Sequence, residues 1–175
     1  MKLKKIAPND FIVSVSKQWE KDWLLLTAGD FSKDAYNMMT VGWGAFGVIW
    51  GMPMAMVLVR PVRHTYTFME KYDTFTLCSF PVKYRKALSL CGSKSGRDID
   101  KIAASGLTPL ASSKIGAPGY AEAELIVECR KMYFDDLAPR RFLTKKAHAM
   151  YPKKDYHRMY FGEMVSIKGT SKYYV

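Results

Sequence analysis

Residues 35–59 form a long run that contains no Asp, Glu, Lys, Arg or His, and this run limits the folds that are open to the chain. It is long enough for a transmembrane helix, and glycine is common in such helices. Pro53 interrupts the run, however, and its two halves, MMTVGWGAF and PMAMVLVRP, are rich in the β-branched, aromatic and Met residues of buried strands. The segment GVIWGMP between them has loop composition. We therefore predict two buried strands and treat a membrane helix as the less favoured alternative.

The same run contains Gly42-x-Gly44-x-x-Gly47, the spacing of a dinucleotide-binding fingerprint. In a Rossmann unit this pattern follows a strand, opens a helix, and is followed about 20 residues later by an acidic residue. Here Pro53 prevents a helix of ordinary length, and no Asp or Glu lies near Val62. The glycines are instead expected to allow strand bending and the close approach of a backbone or a flat ligand.

The remaining pattern predicts a mainly β fold. Strand-like segments lie around Trp23 to Thr27, in the two halves of the uncharged run, and in TFTLCSF, AEAELIVECRKMYFDD and YHRMYFGEMVSIKG. Helices are expected in RHTYTFMEKYD, in VKYRKALSLCG and in IDKIAASG, the last with Asp98 as its N-cap, and residues 108–120 are expected to be irregular. Because five or six strands occur with few helices between them, we predict a β-barrel with peripheral helices, formed by one domain over residues 1–175.

Two basic turns are candidate anion-binding sites. VRPVRHT places Arg60, Arg63, His64 and Thr65 where a buried strand leads into a helix, so helix N–H groups, guanidinium groups and a hydroxyl can meet one phosphate. CGSKSGRDIDK offers two glycines, Ser95 and three cations, but it lacks the residue order of a P-loop. Each turn alone is also compatible with an ordinary solvated cap. Together, flanking a Gly- and aromatic-rich hairpin, they favour phosphate binding.

Composition restricts the setting and the partners. The chain has 27 basic and 16 acidic residues, a net charge of +11, which suits anionic partners such as phosphates, nucleotides or nucleic acid. Three Cys without a CxxC pattern argue against a disulfide framework or a zinc site, so no metal is expected. The start, MKLKKIAPNDF, lacks the apolar segment of a signal peptide. We therefore expect a cytoplasmic protein without a membrane partner.

In this order, NMMTVGWG, VRPVRHT, FTLCSFP, CGSKSGRDIDK and DYHRMYFGE resemble the flavin reductase-like FMN-binding split-barrel family, in particular its flavoredoxin-like branch. The resemblance runs from about Leu24 to Lys168. It implies a six-stranded Greek-key barrel, one FMN per subunit, and a homodimer whose interface helps to form the flavin site. It also implies an FMN-dependent oxidoreductase that takes electrons from NADH or NADPH. The acceptor stays open among free flavin, a ferric chelate, a disulfide and a partner protein.

The resemblance further implies which residues bind the cofactor. Those along the flavin would be Asn37, Met38, Met39 and Thr40, with Ser79 and Phe80 at the border of the ring. Those at the phosphate and ribityl chain would be Arg60, Arg63, His64 and Thr65, where His64 replaces the Tyr of the family pattern. Those closing the phosphate side would be Gly92, Ser95, Gly96, Asp98 and Lys101, and His157 would lie near the open face. No side chain is predicted to be catalytic, because the flavin carries the redox chemistry.

The rival hypothesis is a non-enzymatic basic β-barrel that binds single-stranded nucleic acid or another anionic partner. PRRFLTKK and YPKKDYHR mix cations with aromatic residues, as such proteins do. No RNA-binding signature occurs, so no nucleic-acid partner is expected. A protein that only stores FMN is a third possibility. Cys91, beside a basic loop, is either a thiol of lowered pKa or a buried inert one.

Overall fold

The structure is a computed structural model that describes residues 2–175. Its strands are β1 (Lys4–Ile6), β2 (Leu24–Asp30), β3 (Ala35–Val41), β4 (Gly44–Ile49), β5 (Met52–Val59), β6 (Thr74–Ser79), β7 (Pro109–Leu110), β8 (Gly119–Tyr120), β9 (Leu125–Asp136) and β10 (Arg158–Gly169). Its helices are α1 (Val15–Lys17), α2 (His64–Lys71), α3 (Arg85–Ser93), α4 (Lys101–Ser105) and α5 (Lys145–His148). Within residues 2–175, none of these helices has the length and apolar character needed to cross a bilayer.

One antiparallel sheet dominates the fold. Its strands follow the order β3-β2-β6-β9-β10-β5-β4, and β1 pairs with β10. The prediction of a mainly β fold is therefore confirmed. The sheet has eight strands rather than five or six, since β1 joins it and the segment MMTVGWGAF forms two strands instead of one.

Buried side chains from seven strands meet in one interior, as expected for a sheet that curls into a barrel. Leu24, Leu26 and Ala28 of β2 point into this core, whereas Leu25 points to a second core beneath α3. β2 is thus buried on both faces, which explains why its sequence LLLTAG is continuously apolar rather than alternating. Burying each Leu stabilises the fold by about 1.5–3 kcal/mol.

The loop predicted at GVIWGMP is wrong except at its centre. β4 continues to Ile49 and β5 begins at Met52, so the turn consists of Trp50 and Gly51 alone. Both have positive φ values, 52° and 73°, as in the tight turns that match the twist of a hairpin. Pro53 lies within β5, opposite Val48. Pairing between β5 and the edge strand β4 therefore forms strands in a segment whose Gly and Pro residues predict a loop.

Two smaller expectations also need correction. The N-cap of α4 is Asp100, whose carboxylate accepts hydrogen bonds from the N–H groups of Ile102 and Ala103, and not Asp98. Residues 108–120, expected to be irregular, include the short β7–β8 pair.

The barrel is open on one side. β3 pairs only with β2, and β4 pairs only with β5, so these two strands are the ends of the sheet although they follow one another in sequence. β3 and β5 approach each other without pairing. The chain therefore crosses the open side at Gly42 and Trp43.

Candidate functional site

A cleft of about 180 Å³ lies at the open side of the barrel. One wall is residues 39–43, from β3 and the crossing segment, and the other is Leu58 and Arg60 at the end of β5. Arg63 and His157 complete the lining. Because β3 has no strand partner on this side, part of its backbone N–H and C=O groups is available to a ligand.

The start of α2 lies at one end of the cleft, where Arg63 forms part of the lining. Arg63 precedes the helix with extended backbone, and no side chain caps the helix. In residues 2–175, the N–H groups of His64 and Thr65 donate to no backbone carbonyl. Free N–H groups and the positive end of the helix dipole favour a phosphate at this position.

Two side chains at this helix start have polar groups without a partner among the described residues. The Arg63 guanidinium forms neither an ion pair nor a side-chain hydrogen bond with any residue in 2–175. The buried Nδ1 of His64 also has no hydrogen-bond partner there. Burial, together with the nearby charges of Arg97 and Lys101, lowers the pKa of His64, so its ring is neutral near pH 7. An unpaired buried nitrogen beside a free guanidinium indicates a missing polar partner.

A tightly packed cradle lies next to this helix start. Asn37 donates a hydrogen bond of 2.7 Å from Nδ2 to the hydroxyl of Thr65. A Cβ at Gly96 would lie 2.2 Å from Asn37 Oδ1 and 3.3 Å from His64 Cδ2, and one at Gly92 would lie 3.2 Å from Thr40 Cβ. Gly96 is therefore required for the loop after α3 to approach β3 closely, whereas a Cβ at Gly92, within α3, would need only a small shift of Thr40.

Lys101 supports this cradle from within the protein. Its buried ammonium donates hydrogen bonds to the carbonyl oxygens of Met38, at 2.8 Å, and Cys91, at 2.9 Å. Burial lowers its pKa, and Arg63 lowers it further. Burial also raises the pKa of Cys91, which favours the buried inert thiol of the two alternatives.

The opposite wall is held by a network around Arg60. Its guanidinium donates to Asp155 at 2.7 Å and to the Met150 carbonyl at 3.0 Å, and it stacks over the Tyr151 ring. The Tyr151 hydroxyl lies 2.8 Å from Nδ1 of His157. Burial and the charge of Arg60 lower the pKa of His157 to about 4, so the ring is neutral over the physiological range.

The structure brings together most of the residues that the sequence suggested. They are Asn37, Met39, Thr40, Arg60, Arg63, His64, Thr65, Gly92, Gly96, Lys101 and His157.

Three suggested residues point elsewhere. The side chain of Met38 packs in the core beneath α3, and only its carbonyl faces Lys101. Ser79 is buried and accepts hydrogen bonds from Gln18 and Tyr173, and Phe80 packs against Tyr120. β6 lies two strands away from β3, which explains why its end does not reach the cleft.

The loop before α4 holds the last two suggested residues. Ser95 Oγ accepts a hydrogen bond from the N–H of Arg97, which fixes the turn, and Asp98 is exposed. Ser95 therefore shapes the loop that carries Gly96.

From the sequence, none of Gly42, Trp43 and Leu58 was assigned to cofactor binding. All three line the cleft. The available signal was the glycine on either side of Trp43, which marks an irregular crossing rather than a continuous strand.

Comparison with known proteins agrees with this geometry. Residues 18–171 match the family model described as "Flavin reductase like domain". No curated protein sequence matches the chain.

Solved structures share the fold at low sequence identity. An FMN-binding domain of a flavin reductase-like enzyme from Shewanella baltica OS155 is 14% identical, with a TM-score of 0.69 over 96% of this chain and 77% of that one. The flavoredoxin of Methanosarcina acetivorans is 22% identical, with a TM-score of 0.66 over 98% and 77%. An NADH:FAD oxidoreductase of Streptomyces globisporus C-1027 is 15% identical, with a TM-score of 0.66 over 87% and 77%.

Proposed function

Because the chain belongs to the flavin reductase-like domain family, we propose that it binds FMN at the open side of its barrel and passes electrons from a reduced nicotinamide to an acceptor. The observation that carries this proposal is the start of α2, where three consecutive residues combine free N–H groups, the unpaired Arg63 at the cleft and the unpartnered Nδ1 of His64. The nucleic-acid alternative is not favoured by the family match.

The phosphate of FMN fits this end of the cleft. A dianion would receive a charge-assisted hydrogen bond from Arg63 and N–H donors from the first turn of α2. The hydroxyl of Thr65 accepts from Asn37, so its own hydrogen is free to donate to the ligand. The ammonium of Lys101 is buried and holds the Met38 and Cys91 carbonyls, so we assign it a positioning role.

The ring system fits the wall formed by β3 and the crossing segment. Met39 offers a polarizable sulfur and Trp43 an aromatic face, and the free edge of β3 offers hydrogen-bonding groups to the polar edge of the ring. When bound, the flavin supplies hydride acceptance and electron transfer in one- or two-electron steps.

His157 would border the ring as a neutral hydrogen-bonding group. We assign Tyr151 as the donor to Nδ1, which places the hydrogen of the neutral ring on Nε2 as a donor for a ligand. Because the ring stays neutral near pH 7, it orients ligands and excludes water but supplies no proton there.

We propose that a second subunit covers the cleft. The volume of the cleft, about 180 Å³, is below the range of about 300–1,000 Å³ that encloses a typical small ligand, so one chain encloses only part of a flavin. The β4–β5 hairpin exposes Val48 (73%) and Trp50 (62%), and Tyr133 (48%) of β9, whose ring contacts Trp50, is exposed beside it. Exposed apolar side chains of this size suit a subunit interface.

The three buried, unpaired thiols suit a reducing, cytoplasmic setting.

The test is anaerobic reduction of the FMN-loaded protein by NADH and by NADPH, followed through the flavin absorbance. At least one nicotinamide should bleach the bound flavin. If neither does while FMN stays bound, the protein stores flavin and is not a nicotinamide-dependent enzyme.

The binding site itself is tested by Arg63→Gln, with Arg130→Gln, a change on the exposed surface of β9, as the control. Loss of one charge-assisted hydrogen bond of about 1.5–3 kcal/mol should weaken FMN binding about 10- to 100-fold for Arg63→Gln only. Equal affinities of the two variants would remove Arg63 from the phosphate site.

A further inference from the structure

The segment from Leu137 to His157, called here the basic loop, connects β9 to β10 and is closed at its base. The N–H of Leu137 donates to the carbonyl of His157 at 3.0 Å. α5 is its only α-helix in the described structure. Connections of this length within a compact domain are usually functional or disordered.

The basic loop carries a concentrated positive charge. Its cations are Arg140, Arg141, Lys145, Lys146, Lys153 and Lys154. Its only acid, Asp155, is paired with Arg60, and Arg141 has a distant contact of 3.9 Å with Asp135. In residues 2–175 the other five cations have no carboxylate within ion-pair distance. All six are exposed, so the loop presents an uncompensated positive surface.

An aromatic cluster holds the basic loop in one conformation. Tyr151 and Tyr156 stack with ring centroids 4.9 Å apart, and Phe142 contacts Tyr151 at 5.5 Å. The Nε2 of His148 is 2.8 Å from the Tyr156 hydroxyl. The charged surface is therefore preorganised, which lowers the entropy cost of binding a partner.

The basic loop also forms part of the cleft. Arg60 and the loop residue His157 both line the cleft. Arg60 is bonded to the loop through Asp155 and the Met150 carbonyl, and His157 contacts Tyr151 within the loop. A molecule docked on the loop would thus lie beside the proposed flavin site.

The exposed chemistry of the loop distinguishes between two kinds of anionic partner. Proteins that bind single-stranded nucleic acid present exposed aromatic rings for base stacking. Here the aromatic rings pack against one another, and the exposed apolar side chains are Leu143 (98%) and Met150 (48%). Aliphatic side chains amid cations suit the apolar centre and charged rim of a protein–protein interface.

We propose that the basic loop is a docking surface for an acidic one-electron carrier protein, which takes electrons from the flavin site. This inference rests on the proposed function and names the class of its acceptor. The reaction balances when one reduced nicotinamide gives a hydride, two oxidised carrier molecules each gain one electron, and one proton is released to water.

The test compares two ferric haem proteins of opposite charge, the acidic cytochrome b5 and the basic cytochrome c, as probes. Binding to the FMN-loaded protein is measured calorimetrically at low and at physiological ionic strength. Cytochrome b5 should bind and cytochrome c should not, and the affinity for cytochrome b5 should fall with added salt.

A charge-reversal variant locates the surface. Lys145→Glu, Lys146→Glu, Lys153→Glu and Lys154→Glu are combined, and the control combines Lys5→Glu, Lys71→Glu, Lys83→Glu and Lys86→Glu, which are exposed and alter the net charge equally. At low salt the loop variant should bind cytochrome b5 about 10- to 100-fold more weakly, and the control should stay within about threefold of the unmodified protein. A Gln version of the loop variant replaces the Glu version if that one misfolds.

Equal weakening by both variants would overturn the proposal, because it would show a response to net charge alone. Absence of cytochrome b5 binding, or tighter binding of a single-stranded oligonucleotide through the same lysines, would also overturn it. Reduction of benzoquinone, a small uncharged acceptor, is measured in parallel. If it persists, failure of cytochrome b5 to bind leaves the proposed function intact, whereas loss of FMN binding contradicts the proposed function itself.

Discussion

Replacing Gly96 by Ala should weaken FMN binding because the new methyl group has no room. Its Cβ would lie 2.2 Å from Asn37 Oδ1 and 3.1 Å from Asn37 Cγ. The Asn37 amide is fixed by its 2.7 Å hydrogen bond to Thr65, so it retreats only if that bond breaks. Gly96 has no positive φ, so the effect comes from packing and not from backbone strain.

The magnitude follows from these two contributions. Insertion of a methyl group into a packed site costs about 1–3 kcal/mol, and loss of the Asn37–Thr65 bond costs about 0.5–1.5 kcal/mol. We therefore expect the free energy of unfolding to fall by about 2–4 kcal/mol. If the bond must re-form when FMN binds, its cost alone weakens binding about 2- to 12-fold.

Urea unfolding of the FMN-free protein and titration of FMN fluorescence measure these two effects. Gly47→Ala is the matched control, since its Cβ would meet only Met54 Cε at 3.4 Å, an ordinary contact. If Gly96→Ala retained both the stability and the FMN affinity of the control, the cradle of Gly96, Asn37 and Thr65 would have no part in the site.

Three further predictions concern charged and titratable groups. Lys101→Met leaves the Met38 and Cys91 carbonyls without their donor, so urea unfolding should show a free energy of unfolding that is lower by about 1–3 kcal/mol. The control Lys86→Met, on the exposed face of α3, should not cause this loss, and equal losses would contradict the positioning role. Burial alone would raise the pKa of Glu128, but hydrogen bonds from Ser113 and Lys114 and the charge of Lys168 lower it overall. The contribution of Glu128 to folding stability is therefore present above its unfolded pKa and is lost as the pH falls through the lower folded pKa. Glu128→Gln should therefore reduce stability at pH 7 and flatten the acid side of the stability curve, and an unchanged pH dependence would show that the carboxylate contributes nothing. His157, whose pKa is lowered to about 4, should titrate near that pH in an NMR experiment, and stability should decline between about pH 6.5 and 4 as the unfolded chain takes up the proton first; a midpoint near 6.5 would show that the ring is solvated.

The sequence predicted the architecture well where the signal was local and repeated. Continuous apolar residues in β2 and alternation in β6 identified strands directly. The first basic turn also predicted a cluster of cationic and helix-start residues that the structure places at the cleft, because charge and helix-start chemistry come from adjacent residues. Arg63 and His64 are the clearest cases.

The positions of other suggested residues depend on segments that are distant in the sequence. The order of strands in the sheet places the end of β6 far from the cleft, so Ser79 and Phe80 could not be assigned from their neighbours in sequence. Lys101 looked like a phosphate ligand, but two carbonyls from other elements hold its ammonium. The network of Arg60, Asp155 and Tyr151 also joins segments that are widely separated in the chain.

The central claim is that the open side of the barrel holds a flavin by its phosphate. The most direct measurement is a titration of the FMN-free protein with FMN and with riboflavin, which has the same ring but no phosphate. We expect saturation at one FMN per chain and much weaker binding of riboflavin. Equal affinity for both, or no binding of FMN by the folded protein, would contradict it.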